Sequence, residues 1–247
     1  MVHFVGAGPG SEDLITVRGM KLLQTADVII FAGSLVNPGL LSHAKPGCEI
    51  HNSAEMTLNE VIEVIKSRPG MKIVRLHTGD PSLYGAVREQ MDRLAGLGID
   101  YDVCPGVSSF FGAAAALRAE YTLPGVTQTV IITRAAGKTP VPERESIKKL
   151  AAHGATMVLF LSAGLADKIS CELIEGGYSP TTPAAVVYKA TWPDERVLRG
   201  TIGELPKMME GITKTALVVA GDFLGDNYSL SRLYSQDFET EFRKSVN

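Results

Sequence analysis

The chain has 247 residues, 45% hydrophobic and 21% charged, proportions that exclude a disordered chain, a collagen and a coiled coil and leave room for one large α/β domain or two small ones. With 24 basic against 27 acidic residues the formal charge is -3, so no global cationic field draws in nucleic acid or an anionic membrane. No window approaches the ~18 uninterrupted apolar residues of a membrane span, and Met1-Val2-His3-Phe4 lacks the basic start of a signal peptide, so a cytoplasmic location is expected. Cys48, Cys104 and Cys171 are odd in number and far apart, which points to buried free thiols rather than a disulfide framework or a zinc site.

In chain order, Val2–Gly6 reads as the first strand, and Leu14, Val17, Leu22 and Leu23 fall on one stripe of a helix ending near Ala26. Val28–Phe31 is a second buried strand. Thr57-Leu58-Asn59-Glu60 is a capping box, with Val61, Ile62, Val64 and Ile65 as the apolar positions behind it. A strand over 72–76, a helix over 83–97 and a strand over 100–103 follow, the last stopped by Pro105-Gly106. Residues 108–117 are small and apolar, suited to a closely packed helix. The second half predicts strands over 129–133, 157–161, 184–188, 196–202 and 216–220, with helices over 143–153 and up to about residue 175. The turn-like Thr191-Trp192-Pro193-Asp194 between two of these strands predicts an antiparallel hairpin. Strands alternating with helices give an α/β fold in two lobes, divided near Leu123-Pro124-Gly125 and taken as residues 1–118 and 119–247.

Gly6-Ala7-Gly8-Pro9-Gly10 lies between the first strand and first helix, where a nucleotide fold carries its phosphate loop. Three details count against a dinucleotide. The third glycine position is Ser11, Pro9 removes a backbone N–H, and no acidic residue ends the second strand to grip a ribose. Thr78-Gly79-Asp80-Pro81-Ser82 and Pro105-Gly106-Val107-Ser108-Ser109 sit at two further strand ends. In an open parallel sheet such ends line one crevice, so three glycine-containing loops in register point to a small-molecule site without phosphate. Each loop by itself also suits a tight turn, and Asp80, Ser108 and Ser109 equally suit helix N-caps.

These motifs resemble the tetrapyrrole methylase family, the S-adenosylmethionine-dependent methyltransferases of corrin and sirohaem synthesis, through essentially the whole chain. Gly6-Ala7-Gly8-Pro9-Gly10 with Asp13-Leu14-Ile15-Thr16 is similar to the family's N-terminal signature, Gly79-Asp80-Pro81 with Tyr84-Gly85 to its second and Pro105-Gly106-Val107-Ser108-Ser109 to its third. In the second half, Thr156 to Ser162, Pro183-Ala184-Ala185-Val186-Val187 and Thr215-Ala216-Leu217-Val218-Val219 match further blocks. Ala32-Gly33-Ser34-Leu35-Val36, His77-Thr78-Gly79-Asp80-Pro81 and Tyr188-Lys189-Ala190-Thr191-Trp192-Pro193-Asp194 resemble the branch that methylates carbon 11 of precorrin-4 or cobalt-precorrin-4. Thr78 and Ala86-Val87 depart from the Gly-Gly-Asp-Pro and Gly-Arg-Gly of sirohaem-forming members, which argues against uroporphyrinogen III as substrate.

The resemblance implies a mainly parallel N-terminal sheet, a mixed C-terminal sheet, S-adenosylmethionine folded between the two lobes, and a homodimer. By motif, Pro9, Gly79, Asp80, Leu83, Ser108, Ser109, Leu161, Ala190 and Ala216 line the cofactor. A tetrapyrrole carries many carboxylates, so Arg134, Lys138 and Lys189 are candidates for its recognition, with Trp192 and Tyr84 able to pack on the macrocycle. Methyl transfer from a sulfonium to an electron-rich carbon demands no strong base and no metal, so no catalytic residue is required; Tyr84 and Glu89 are the nearest candidates. Competing readings are methylation at another corrin carbon, an NAD-linked oxidoreductase, and a non-catalytic S-adenosylmethionine or tetrapyrrole binding module.

Overall fold

Short runs rich in valine and isoleucine become the strands of a first, wholly parallel sheet in a computed structural model that describes residues 1–244. The strands are β1 (Val2–Gly6), β2 (Val28–Phe31), β3 (Glu49–Asn52), β4 (Ile73–His77) and β5 (Tyr101–Cys104), in the order β3-β2-β4-β1-β5. Val2 stands opposite Ile73 on one side and Tyr101 on the other. Helices α1 (Val17–Thr25), α2 (Leu58–Lys66), α3 (Arg88–Gly96) and α4 (Ser109–Leu117) belong to the same unit, Met1–Ala116 with Lys189–Arg196.

Because successive residues of a strand face opposite ways, the sheet buries two separate apolar layers. Val5, Ile29, Val74 and Leu76 pack with Leu23 of α1 and Leu40; Phe4, Ile30 and Ile73 pack with Val61, Ile62 and Ile65 of α2 and Leu94 of α3. The capping box behind α2 forms as expected: Glu60 N–H donates to Thr57 Oγ1 at 3.3 Å and Thr57 N–H to Glu60 Oε2 at 2.6 Å.

The first unit departs from the sequence reading at three points, and the expectation for the cysteines fails across both units. Leu14 and Val17 are exposed, and α1 instead buries Gly19 and Leu23, because Thr16 caps the helix and shifts its start past Leu14. The helix expected over 83–97 begins only at Arg88, since Tyr84 and Ala86 have φ of 57° and 50°, left-handed values that no helix admits. Strand β3 was not anticipated; its Glu-Ile-His-Asn has no apolar alternation because it is a solvated sheet edge. Of the three cysteines only Cys104 is buried, while Cys48 is half-buried and Cys171 exposed.

The second unit, Leu117–Tyr188 with the residues from Val197 onward, holds β6 (Val130–Arg134), α5 (Ile147–Ala151), β7 (Thr156–Phe160), α6 (Ala166–Glu175), β8 (Pro183–Tyr188), β9 (Arg196–Thr201), α7 (Leu205–Met208) and β10 (Ala216–Ala220). Its sheet runs β6-β7-β10-β8-β9 and is mixed: β6 and β7 are parallel, and β10 is antiparallel to both β7 and β8. Strand β9 lies beside β8, the adjacency that the Thr191-Trp192-Pro193-Asp194 turn predicted. Met157, Leu159, Ile169, Leu173, Val186, Ile202 and Val218 form its core. The helix expected over 143–153 shrinks to a 3-10 turn at Glu143–Glu145 and five residues of α5, of which only Ile147 and Ala151 are buried. No helix among the described residues is long and apolar enough to cross a membrane.

Candidate active site

Strands β4, β1 and β5 are neighbours in a parallel sheet, so the loops at their carboxyl ends emerge side by side. Backbone contact holds these loops together. Gly8 and Gly79 exchange hydrogen bonds, Gly79 N–H to Gly8 O at 2.8 Å and Gly8 N–H to Gly79 O at 3.2 Å. A Cβ on Gly106 would strike the Gly79 carbonyl oxygen and approach Gly6 Cα to 2.7 Å, so only glycine lets the third loop pass this close to the first two.

Asp80 fastens the second loop to the third. Its Oδ2 accepts from Gly106 N–H at 2.8 Å and its Oδ1 from Ser82 N–H at 2.8 Å and from the Ser82 hydroxyl. Partial burial pushes the carboxyl up, but the Ser82 hydroxyl and the Gly106 and Ser82 amides outweigh it and hold Asp80 below the usual carboxylate range. It therefore acts as a clamp between loops and caps no α-helix, because α3 starts eight residues later.

The structure brings seven of the nine expected cofactor residues onto one patch of the first unit. Gly79 lies against Ser108 and Ser109 at the start of α4, and Leu83 N–H donates to the Asp80 carbonyl at 3.3 Å. Pro9 packs beside Gly112 of α4, and the Ala190 carbonyl lies against Gly10. Leu161 and Ala216 belong to the second unit, at the end of β7 and the start of the adjacent β10. Leu161 combines a φ of 50° with 63% exposure, an uncommon state for a leucine.

Behind the second loop lies a buried polar chain that residue spacing did not reveal. Arg75 is 6% exposed, has no carboxylate partner among the described residues, and donates to the Ile30 carbonyl at 3.1 Å and to Gln90 Oε1 at 3.0 Å. The Gln90 amide in turn donates to the Ala86 carbonyl at 3.0 Å, bracing the left-handed turn that carries Tyr84. Burial pulls the Arg75 guanidinium down to about 10, so it stays charged at neutral pH. His77, two residues on along the same face, is 4% exposed, stacks on Phe4, and leaves Nε2 without a hydrogen-bond partner among the described residues. Burial and then the Arg75 charge push His77 down to about 3, which keeps it neutral. The signal for this chain was an arginine and a histidine inside a run of buried strand residues.

The remaining candidates divide between the units. Tyr84 is 40% exposed on its strained turn, whereas Glu89 pairs with Arg93 at 3.9 Å on the solvated face of α3. Lys189 meets Asp194 Oδ2 at 2.6 Å with its ammonium 5.4 Å from the Trp192 ring centre. In the second unit, Arg134 ends β6 and turns N–H groups onto the Thr139 and Pro140 carbonyls of its own loop, at 3.2 and 2.6 Å, with Lys138 exposed on that loop.

The first-unit patch offers a pyrophosphate few backbone donors. Pro9 has no N–H, the Gly8 amide is spent on Gly79, and the Ser11 amide donates to Thr191 Oγ1 at 2.9 Å, so few donors remain for an anion. That weighs against the dinucleotide reading. The family model described as Tetrapyrrole (Corrin/Porphyrin) Methylases matches residues 1–206. A cobalt-precorrin-4 C(11)-methyltransferase of Methanocaldococcus jannaschii is 53% identical over 99% of this chain and 96% of its own. A cobalt precorrin-4 methyltransferase of solved structure is 50% identical, covering 91% of this chain and 96% of that one, with a TM-score of 0.89. The uroporphyrin-III C-methyltransferase of Thermus thermophilus, solved with S-adenosylhomocysteine, is 25% identical over 90% of this chain and 92% of that one, with a TM-score of 0.76. On its loops, its two sheets and these likenesses, the chain belongs to the tetrapyrrole (corrin/porphyrin) methylases.

Proposed function

We propose that the chain is an S-adenosylmethionine-dependent C-methyltransferase of corrin synthesis, acting on carbon 11 of precorrin-4 in its cobalt form. The observation that carries this reading is a carboxyl-end patch with few donors left for a phosphate, in a chain 53% identical to a cobalt-precorrin-4 C(11)-methyltransferase. When bound, S-adenosylmethionine supplies an electrophilic methyl group on a sulfonium. Pro9, Gly79, Leu83, Ser108, Ser109 and Ala190 shape the first-unit patch that would receive it, and Asp80 locks two of its loops in register. Arg134 and Lys138 meet carboxylates of the macrocycle, which fits the acidity of the substrate and the fixed geometry of the Arg134 fork. Tyr84 is held ready for contact by the Arg75–Gln90–Ala86 chain.

Purified protein incubated with S-adenosylmethionine and either precorrin-4 or cobalt-precorrin-4 tests this by mass spectrometry of the product. Gain of one methyl group on the cobalt form is the expected result. Methylation of the metal-free form alone moves the enzyme to the other branch, and no methylation with cofactor binding intact moves it to another ring carbon. The resemblance to the family also leads us to read the enzyme as a cytoplasmic homodimer; light scattering on the purified chain checks the assembly.

A further inference from the structure

The segment Lys189–Arg196 leaves the end of β8 and joins the first unit, where it is fastened to the glycine-rich loop. Lys189 and Thr191 adopt φ of 48° and 68°, and a β-branched threonine takes such a value only where its surroundings impose it. Thr191 Oγ1 accepts from Ser11 N–H at 2.9 Å, and Trp192 Nε1–H donates to the Pro9 carbonyl at 3.2 Å. From the other side Asn37 Nδ2 donates to the Gly10 carbonyl at 2.8 Å. The indole edge fills the space a Cβ on Gly10 would take, and the Thr191 methyl and the Pro9 ring converge on Gly112 of α4. Pro9, Gly10 and Ser11 thus each give a backbone polar group to a side chain from outside the loop.

We infer that Trp192, supported by Thr191, is a positioning residue for the cofactor loop, setting the Pro9–Gly10 backbone against which S-adenosylmethionine rests, and is not a platform for the macrocycle. Its polar edge is spent on the Pro9 carbonyl, and one ring edge lies against Gly10. This rests on the cofactor site proposed above. Trp192 is also the one tryptophan in the chain, so its fluorescence reports on that loop alone.

The test uses the full chain with Trp192→Phe and Thr191→Ala, each checked for folding by circular dichroism and titrated with S-adenosylhomocysteine by calorimetry. Wild-type indole emission should shift on saturation. Trp192→Phe should weaken S-adenosylhomocysteine binding by about tenfold, since it leaves the Pro9 carbonyl without its donor. The KM for S-adenosylmethionine should rise in parallel, while the tetrapyrrole KM at saturating cofactor stays within about twofold. Thr191→Ala should act in the same direction and decides the matter by the same readouts where Trp192→Phe does not fold. Unchanged cofactor affinity in the folded variants, or a raised tetrapyrrole KM with intact cofactor affinity, overturns the inference. A wild-type chain that does not bind S-adenosylhomocysteine overturns the proposed cofactor site, and the inference with it.

Discussion

The carboxyl ends of β1, β4 and β5 and the carboxyl end of β6 are built from opposite materials. In the first unit Gly6, Gly79 and Gly106 bring three backbones into contact, and the charged group present, Asp80, is consumed in holding them. In the second unit Arg134 and Lys138 put charge on a loop with no such wedge, and Arg134 spends N–H groups on the carbonyls of its own loop. Where a ligand is gripped by shape, a single added carbon is costly; where it is gripped by charge, one residue is one contribution among several. The two regions should therefore respond to substitution on different scales and in different observables.

The sharpest break would be Gly106→Ala. Its Cβ meets backbone atoms on two sides, so we expect a loss of about 3 kcal/mol or more in urea denaturation and no measurable S-adenosylhomocysteine binding; wild-type stability would show that the loops are not wedged. Second is the pH response of the buried face under these loops. His77 has its ordinary value of 6.5 when unfolded and about 3 when folded, so between those values the unfolded chain binds more protons. Stability contributed by the neutral ring is complete above pH 6.5 and falls as pH drops, by about 1.4 kcal/mol per pH unit at most. Urea midpoints at pH 6.5 and 4.5 should differ less in His77→Phe than in wild type, and equal slopes would place the acid sensitivity elsewhere.

Asp80→Ala comes third. Leaving the Gly106 and Ser82 amides without their acceptor should cost about 2 kcal/mol and weaken S-adenosylhomocysteine binding in calorimetry, with tetrapyrrole KM unaffected. The clamp needs an ionised carboxylate, so its contribution is present above the usual value of 3.8 and disappears as pH falls through the lower folded value. The smallest effect is expected in the second unit: Arg134→Ala should raise the tetrapyrrole KM by about fivefold and leave cofactor affinity alone. A change in cofactor affinity instead would erase the contrast between the two regions.

Most of the first unit's loop cluster was legible because its constraints are local. A loop that must touch two other backbones has to carry glycine, and Gly6-Ala7-Gly8-Pro9-Gly10, Gly79-Asp80 and Pro105-Gly106 stand out for that reason. The capping box at Thr57 and Glu60 was equally plain, since a residue and its partner three positions on complete it. The 83–97 segment misled because helical spacing carries no trace of the left-handed backbone at Tyr84 and Ala86, which Gln90 braces through a bond to the Ala86 carbonyl. Edge strand β3 was missed because a strand paired on one side and wet on the other needs no apolar pattern.

By itself the amino-acid sequence determined the α/β class, the family and the three loops, because periodicity and glycine placement act over a few residues. Tertiary structure alone decided that Arg75 sits buried beside Gln90, that Asp80 spends its carboxylate on Gly106, and that Trp192 turns to the Pro9 carbonyl. Those choices depend on which groups from distant parts of the chain compete for the same donor, and only the folded backbone, by bringing Pro9 and Trp192 within 3.2 Å across 183 residues, sets that competition.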